Sequence, residues 1–339
     1  MENRQETPVG RLQYEFEVGA ESEGQRLDIF LAAKLGWLSR TRIKEAIREG
    51  YCRVNDRPGE TGLRLKAGDR VWVAVEPRLP TAMRPEPIPV EVIYEDEYLA
   101  VVVKPAGMVV HPTAGNKSGT LANALSYRWN PGLLAFWEKG EPLPRPPVRP
   151  GFPHRLDRLT SGLMVVSKTQ AVLRELGVAF AERRVKKRYV AILAGKVEAD
   201  RLKIQGRIGR LSEVMPRWRV TPRGKRAITR LWVTSRAQDR TLVELEPVTG
   251  RTNQLRIHCA WIGHPILGDA TYGGPPAPRL CLHASLLGFV HPVHGRWMEF
   301  VAPMPAEMAA LWEQSQGIDA GAHPAGGEHG LSTPAEPSG

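Results

Sequence analysis

Two domains built from both helices and strands are what the sequence predicts, on three observations. The chain has 339 residues, beyond the size at which a single core keeps growing, so it divides. Hydrophobic residues make up 42%, enough to fill more than one core. A dense run of prolines between Pro77 and Pro89 separates a short helix-rich unit from a longer stretch where strand and helix patterns alternate.

Residues 1–14 are mostly polar and are expected to be disordered. A compact domain is expected over 15–76. Leu27, Phe30, Leu31 and Leu35 recur at helical spacing and stop at Gly36; Ser39 is placed to cap a second helix through Ile43 and Ile47 that stops at Gly50. Two strands follow: Cys52 to Asn55, ending in an Asn-Asp turn, and the alternating Val71, Val73 and Val75 after the turn Lys66-Ala67-Gly68-Asp69. Prolines every second or third residue over 77–89 favour an extended, semi-rigid linker.

The second domain is expected over 90–314. It opens with strands from Val90 to Tyr94 and Leu99 to Val103 around the acidic turn Glu95-Asp96-Glu97. A loop from Glu138 to Pro150 is dense in Pro and Arg, and reads as a flap or as an insertion. An apolar run from Leu163 to Val166 is followed by a helix from about Gln170 to Glu182 with Val172, Leu173, Leu176 and Phe180 on one face, then by a strand from Val190 to Leu193. Residues 315–339 contain almost no large apolar side chain and are expected to be a disordered tail.

Lys and Arg outnumber Asp and Glu by 47 to 36, a net charge of +11 and a pI near 9.8, which points to a polyanionic partner. Membrane is the rival reading, but no apolar stretch approaches a span of about 20 residues and the N-terminus lacks a signal peptide's apolar core. Cys52, Cys259 and Cys281 are far apart and show no CxxC spacing, so neither a disulfide framework nor a zinc knuckle is indicated. A cytoplasmic, monomeric protein with reduced thiols is expected. The helix beginning near Ser39 exposes Arg40, Arg42, Lys44 and Arg48 beside its own N-terminus; such a face is often solvated surface, but here it fits phosphate.

Four segments could carry chemistry. Pro153-His154-Arg155-Leu156-Asp157-Arg158-Leu159-Thr160-Ser161-Gly162 sets one carboxylate among cations on a loop feeding a strand, which suits a catalytic acid held ionised and equally suits an ordinary Asp turn. Lys104-Pro105-Ala106-Gly107, with His111 beyond it, breaks a strand end into a loop that could shape a site. Arg183-Arg184-Val185-Lys186-Lys187-Arg188-Tyr189 carries five cations in six residues, the composition of a phosphate contact; Tyr189 reads either as strand packing or as a stacking face for a base. Thr249 to His258 enters a helix that buries Leu255, Cys259 and Ile262 and leaves Arg256 on another face, free to reach a cleft. No P-loop, GxGxxG, HExxH or metal-ligand histidine spacing is present, so a reaction without metal or cofactor is favoured.

The string HRLDRLTSGL resembles the signature of the RluA-type pseudouridine synthases, HRLD, two variable residues, then TSG. KPAG with a following VHP, the K-x-Y at Lys187 to Tyr189, and GRTNQLRIH resemble further motifs of that family in the same order, as do Gly263 to Asp269 and Leu282-His283-Ala284. Asn253 stands where the family usually has His. The stretch from Gln25 to Asp56, with its RLD, SR-x-R-I and the later AGD turn, is similar to the small alpha-L domain of the S-four ribosomal-protein type, an RNA-binding module. The resemblance implies an α+β catalytic domain with a mixed, largely antiparallel sheet and a central cleft. It implies that Asp157 is the essential catalytic residue, that Arg256 is its conserved partner, and that Tyr189 lies against the target base. It further implies that Arg155 fills the gap left by a flipped nucleotide and that Leu282 packs on the base. His154, Lys186, Lys187, Arg188, Arg40 and Arg42 complete the expected substrate-binding set. The implied activity is isomerisation of uridine to pseudouridine in structured RNA, large-subunit ribosomal RNA first and tRNA second; a non-catalytic RNA-binding assembly factor and a metal-independent hydrolase are the alternatives.

Overall fold

A computed structural model describes residues 11–38, 40–76, 83–113, 115–135, 147–210 and 218–317. The expected cap at Ser39 and residues 138–146 of the Pro/Arg-rich loop lie outside them.

The N-terminal unit is a four-stranded antiparallel sheet in the order β1-β4-β2-β3 under two helices. Strand β1 (Leu12–Glu17) alternates half-buried Leu12, Tyr14 and Phe16 with exposed Gln13, Glu15 and Glu17 and pairs with β4 (Arg70–Val75). Residues 12–14, expected to be disordered, thus lie in a strand, because period-two burial lets Tyr14 and Phe16 reach the core despite polar neighbours. Strands β2 (Cys52–Val54) and β3 (Arg57–Pro58) form a hairpin whose two turn residues, Asn55 and Asp56, both have positive φ, 49° and 65°, a conformation that Asn and Asp tolerate better than most residues. Helices α1 (Leu27–Lys34) and α2 (Arg40–Arg48) lay Leu27, Phe30, Leu31, Ile43 and Ile47 on Val71 and Val73.

Residues 83–89, expected to be linker, are tied to the second unit instead. Met83 is buried; the Asn123 amide donates to the Arg84 carbonyl (2.9 Å) and the Gly119 N–H donates to Glu86 Oε2 (2.8 Å). The extended backbone that prolines enforce here leaves its carbonyls outward for such contacts.

The second unit is a ten-stranded mixed sheet. Its main path runs β10-β9-β11-β12-β8-β13-β7-β6-β5, and β14 pairs with β13. The strands are β5 (Glu91–Glu95), β6 (Leu99–Lys104), β7 (Ser161–Ser167), β8 (Lys186–Ala194), β9 (Arg201–Arg210), β10 (Trp218–Val220), β11 (Lys225–Arg236), β12 (Arg240–Pro247), β13 (Leu282–Val290) and β14 (Trp297–Val301). Pairings are antiparallel except β7 with β13, which run parallel through Ser161–His283 and Gly162–Ala284. That junction demands the glycine: Gly162 sits at φ +119°, and a Cβ there would fall 2.4 Å from the Ala284 carbonyl oxygen.

Helix α3 (Leu121–Trp129) packs Leu121 and Leu125 on Ala100, Val102, Met164 and Val166, and α4 (Gln170–Ala181) packs Val172 and Leu176 on Leu99, Val101, Leu163 and Val165, so β6 and β7 are covered on both faces. In the other half, α5 (Gln254–Trp261) and α6 (Ala306–Gly317) cover one face only, over Leu231, Val243 and Leu245. Opposite it, Arg201, Lys203, Gln205 and Arg207 of β9 and Arg226 and Arg230 of β11 are exposed. Two boundaries differ from expectation. Strand β8 begins at Lys186, so Lys186 to Arg188 lie inside it, and α6 continues through residue 317, into the expected tail. Cys52, Cys259 and Cys281 are buried and unbridged, and no helix among the described residues is long and apolar enough to cross a membrane.

Candidate active site

The loop 153–160 leaves the sheet edge and returns as β7, and successive side chains part ways along it. His154 points inward: its Nε2 accepts the Val165 N–H (3.1 Å) and its ring stacks on Phe180 at 4.4 Å. Burial and the Lys187 charge hold its pKa down to about 3, so it is a neutral pin between the loop and β7. Arg155 points out and is exposed; Leu156 is buried in the core; Asp157 is half-buried at the rim of a cavity of about 520 Å³. A Thr160 N–H bond to the Asp157 carbonyl (3.1 Å) closes the turn.

Asp157 is surrounded by cations, yet its direct partner is neutral. A carboxylate only accepts, so the Asn253 amide nitrogen is the atom that faces it: it donates to Asp157 Oδ2 at 2.8 Å and Oδ1 at 3.2 Å, while the amide oxygen accepts from the Tyr272 hydroxyl at 3.0 Å. Asn253 occupies the left-handed region (φ 53°, ψ 22°) at the start of α5 and makes no capping bond to its own helix, which leaves its amide for this pair. The Arg256 guanidinium is buried and spends its fork on Asp269, at 2.7 and 2.6 Å. The expected Arg256–Asp157 partnership is therefore one of charge, and the orienting contact belongs to Asn253. Burial raises the Asp157 pKa above the ordinary 3.8, against the opposing pull of Arg256, Arg155 and Lys104.

Tyr189 and Leu282 line the cavity together, on adjacent strands β8 and β13. Burial, with Asp157 nearby, raises the Tyr189 phenol, so its hydroxyl stays protonated. Lys187 shares the Tyr189 face and lines the same cavity, its Nζ 5.6 Å from the Phe180 ring centre. Lys186 and Arg188 project from the other face, since side chains alternate along a strand; they pair with Glu299 (3.1 Å) and Glu246 (3.5 Å) and are not among the cavity's lining residues. Arg40 and Arg42 lie in the N-terminal unit, Arg40 on the buried Asp28 (2.8 Å) and Arg42 on Glu45 (3.4 Å).

Sequence reasoning did not assign Asp269 or Tyr272 a role in the site, and read the segment that begins at Lys104 only as a loop shaping it. The GDATYG segment held the signal for the first two, an acid and a phenol three residues apart beside the family-like GHPIL run. Lys104 is fully buried and its ammonium donates to the carbonyls of Pro105 (2.7 Å), Met108 (2.9 Å) and Arg158 (3.2 Å), tying the 105–108 loop to the residue after Asp157. Burial lowers its pKa to about 7. Gln254 braces the 249–254 turn by donating to Ile228 O (2.9 Å) and accepting from Arg251 N (3.1 Å).

Asp96, His291 and His294 also converge, away from this cavity. Both ring nitrogens of His291 are engaged: Nε2 donates to Asp96 Oδ2 (2.9 Å) and Nδ1 accepts the Val293 and His294 N–H groups (3.2 and 3.1 Å). The group is a clasp between the β5–β6 and β13–β14 turns, with no lone pair on His291 left for an ion.

The chain matches family models described as RNA pseudouridylate synthase over residues 98–261 and as S4 domain over residues 25–71. It is 39% identical over 312 residues to an uncharacterized RNA pseudouridine synthase of Aquifex aeolicus, covering 88% of this chain and 95% of that one. It is 36% identical over 309 residues to ribosomal large subunit pseudouridine synthase D of Zymomonas mobilis, covering 86% and 94%. Its fold is similar to that of human RNA pseudouridylate synthase domain containing 1, with a TM-score of 0.52 and 27% identity over 73% of this chain and 100% of that one.

Proposed function

The chain belongs to the RNA pseudouridine synthase family, and we propose that it isomerises uridines in large-subunit ribosomal RNA, with Asp157 as the catalytic group. The observation that carries this reading is one ionisable carboxylate at a cavity whose walls are an aromatic ring, Tyr189, and an apolar side chain, Leu282. At about 520 Å³ the cavity suits a single flipped nucleotide, within the usual range of about 300–1,000 Å³ for small-molecule sites.

Uracil must leave the sugar carbon, turn within the pocket, and return through a ring carbon. As the bond to nitrogen breaks, the sugar carbon becomes electron-poor, and a carboxylate beside it stabilises that charge. Attack on this carbon and removal of a sugar proton both need Asp157 ionised, the state that Asn253 and the surrounding cations favour. Tyr189 holds the detached base by stacking, worth about 1–3 kcal/mol. As a neutral phenol its hydroxyl donates a hydrogen bond better than it removes a proton, so final proton loss from the ring carbon is better suited to Asp157. Arg155 enters the stack that the nucleotide leaves, a role supported by its exposure at the mouth of the cavity. The relatives named for the ribosomal large subunit and the S4 match support ribosomal RNA as the substrate.

The test uses a large-subunit ribosomal RNA transcript tritiated at uridine C5. Tritium release with every base retained supports the reading; release only from tRNA removes the ribosomal substrate, and no release from either removes Asp157 chemistry.

A further inference from the structure

The exposed face of β9 and β11 carries a pattern that folding alone does not favour. Residues 201, 203, 205 and 207 of β9 point away from the helices, and three of these four are cations: Arg201, Lys203 and Arg207. Across the ladder Arg207 pairs with Arg226 and Lys203 with Arg230, so two like-charge pairs lie directly opposite each other, an arrangement that destabilises a sheet. Arg219 of β10, opposite Gly209, extends the same face. Arg230 is relieved by Glu246 (3.3 Å), but Arg201, Lys203 and Arg226 have no carboxylate partner among the described residues. The cavity lies on the opposite, helix-covered side of this sheet, and the two meet at the end of β11, where the Arg226 carbonyl accepts from Nε of Arg251 (3.1 Å), which lines the cavity.

We propose that this open face of β9–β11 is a second RNA-binding surface, holding by its phosphates a stretch of the same RNA whose nucleotide enters the cleft. The inference rests on RNA being the substrate. Unpaired, mutually repelling cations gain most from a polyanion, since each neutralised phosphate releases counterions. The strand geometry fits such a partner: alternate residues on one face repeat about every 6.7 Å and neighbouring strands lie about 4.8 Å apart, a flat grid of donors rather than a pocket for one small anion.

The test compares wild type with the triple substitution Arg201→Gln, Lys203→Gln, Arg226→Gln, and with Lys203→Gln alone, on the large-subunit ribosomal RNA transcript. Affinity is measured over a range of salt, and turnover at saturating RNA. The slope of log affinity against log salt is expected to become shallower by about two to three in the triple variant and by about one in the single variant. Turnover at saturation is expected to stay unchanged, and the melting temperature to hold or rise because the like-charge pairs are gone. Slopes equal to wild type overturn the inference even if the wild type releases tritium. A wild type that binds the transcript but releases no tritium sinks the reaction and leaves the surface to be judged by the slopes.

Discussion

Arg-Leu-Asp occurs twice in this chain, at residues 26–28 and 155–157, and the two aspartates meet opposite environments. Asp28 is fully buried, and three cations reach it directly: Arg26 at 3.0 Å, Arg40 at 2.8 Å and Lys44 at 3.7 Å. Burial pushes its pKa up, but the bonds from Arg40 and Arg26 outweigh this and leave it below 3.8. Asp157 keeps its cations at a distance, takes its direct bonds from a neutral amide, and is raised instead. In the first site the guanidinium groups are spent on the carboxylate, which makes a fastening. In the second Arg256 is spent on Asp269, and the carboxylate keeps its capacity to react.

The largest contrast should come from removing each charge in turn. Asp157→Asn is expected to lower turnover more than about a hundredfold, roughly 3 kcal/mol or more of transition-state stabilisation, with RNA affinity within a few-fold. Because the folded pKa of Asp157 is raised, its ionised form opposes folding above that pKa, so the same substitution should leave the melting temperature at pH 7 unchanged or higher. A clear loss of stability would place Asp157 in the class of Asp28. Asn253→Ala removes the one direct donor and should reduce turnover about 10- to 100-fold, in line with about 1.5–3 kcal/mol for a hydrogen bond to a charge, with little change in KM; Asn253→His should recover part of it. An unchanged rate would hand the orienting role back to Arg256.

Asp28→Asn should do the reverse. It should lower stability by about 2 kcal/mol, less than for a fully dry pair because the released arginines regain water, while turnover at saturating RNA stays within about twofold. A pH series sharpens the comparison further. Asp28 is depressed, so its stabilisation is present above its ordinary value and lost as pH falls below 3.8; Asp157 is raised, so activity should fade at a pH above 3.8, with the fold intact. Loss of both signals at one pH would show that the acid limb is unfolding.

The location of the candidate site was largely legible in the sequence, because Asp157, Tyr189 and Leu282, which line one cavity, are fixed by local motifs on a loop and two strands. The helices over Leu27 to Leu35 and Gln170 to Glu182 were legible for a related reason: spacing alone defines an amphipathic face. What escaped depends on pairs distant in sequence. Nothing near Arg256 says that Asp269 will claim it, and nothing near Asn253 announces Tyr272. The run from Lys186 to Arg188 reads as a uniform cationic patch until the strand is known to start at Lys186, after which alternation sends Lys187 to the cavity and its neighbours to the far face. Strand β1 was hidden by charge, although Leu12, Tyr14 and Phe16 carried the period.

The parallel stitch between β7 and β13 also sets an order in time. Ser161 and His283, joined by a 2.8 Å hydrogen bond, are 122 positions apart, and a pairing so remote forms only after the intervening chain exists. The N-terminal unit closes within residues 12–75. At about 5–20 residues per second on the ribosome, the roughly 200 residues that separate the two events take about 10–40 s to make. During that interval a nascent chain has its S4 domain complete while the cavity around Asp157 still lacks Leu282, so the capacity to hold RNA precedes the capacity to change it.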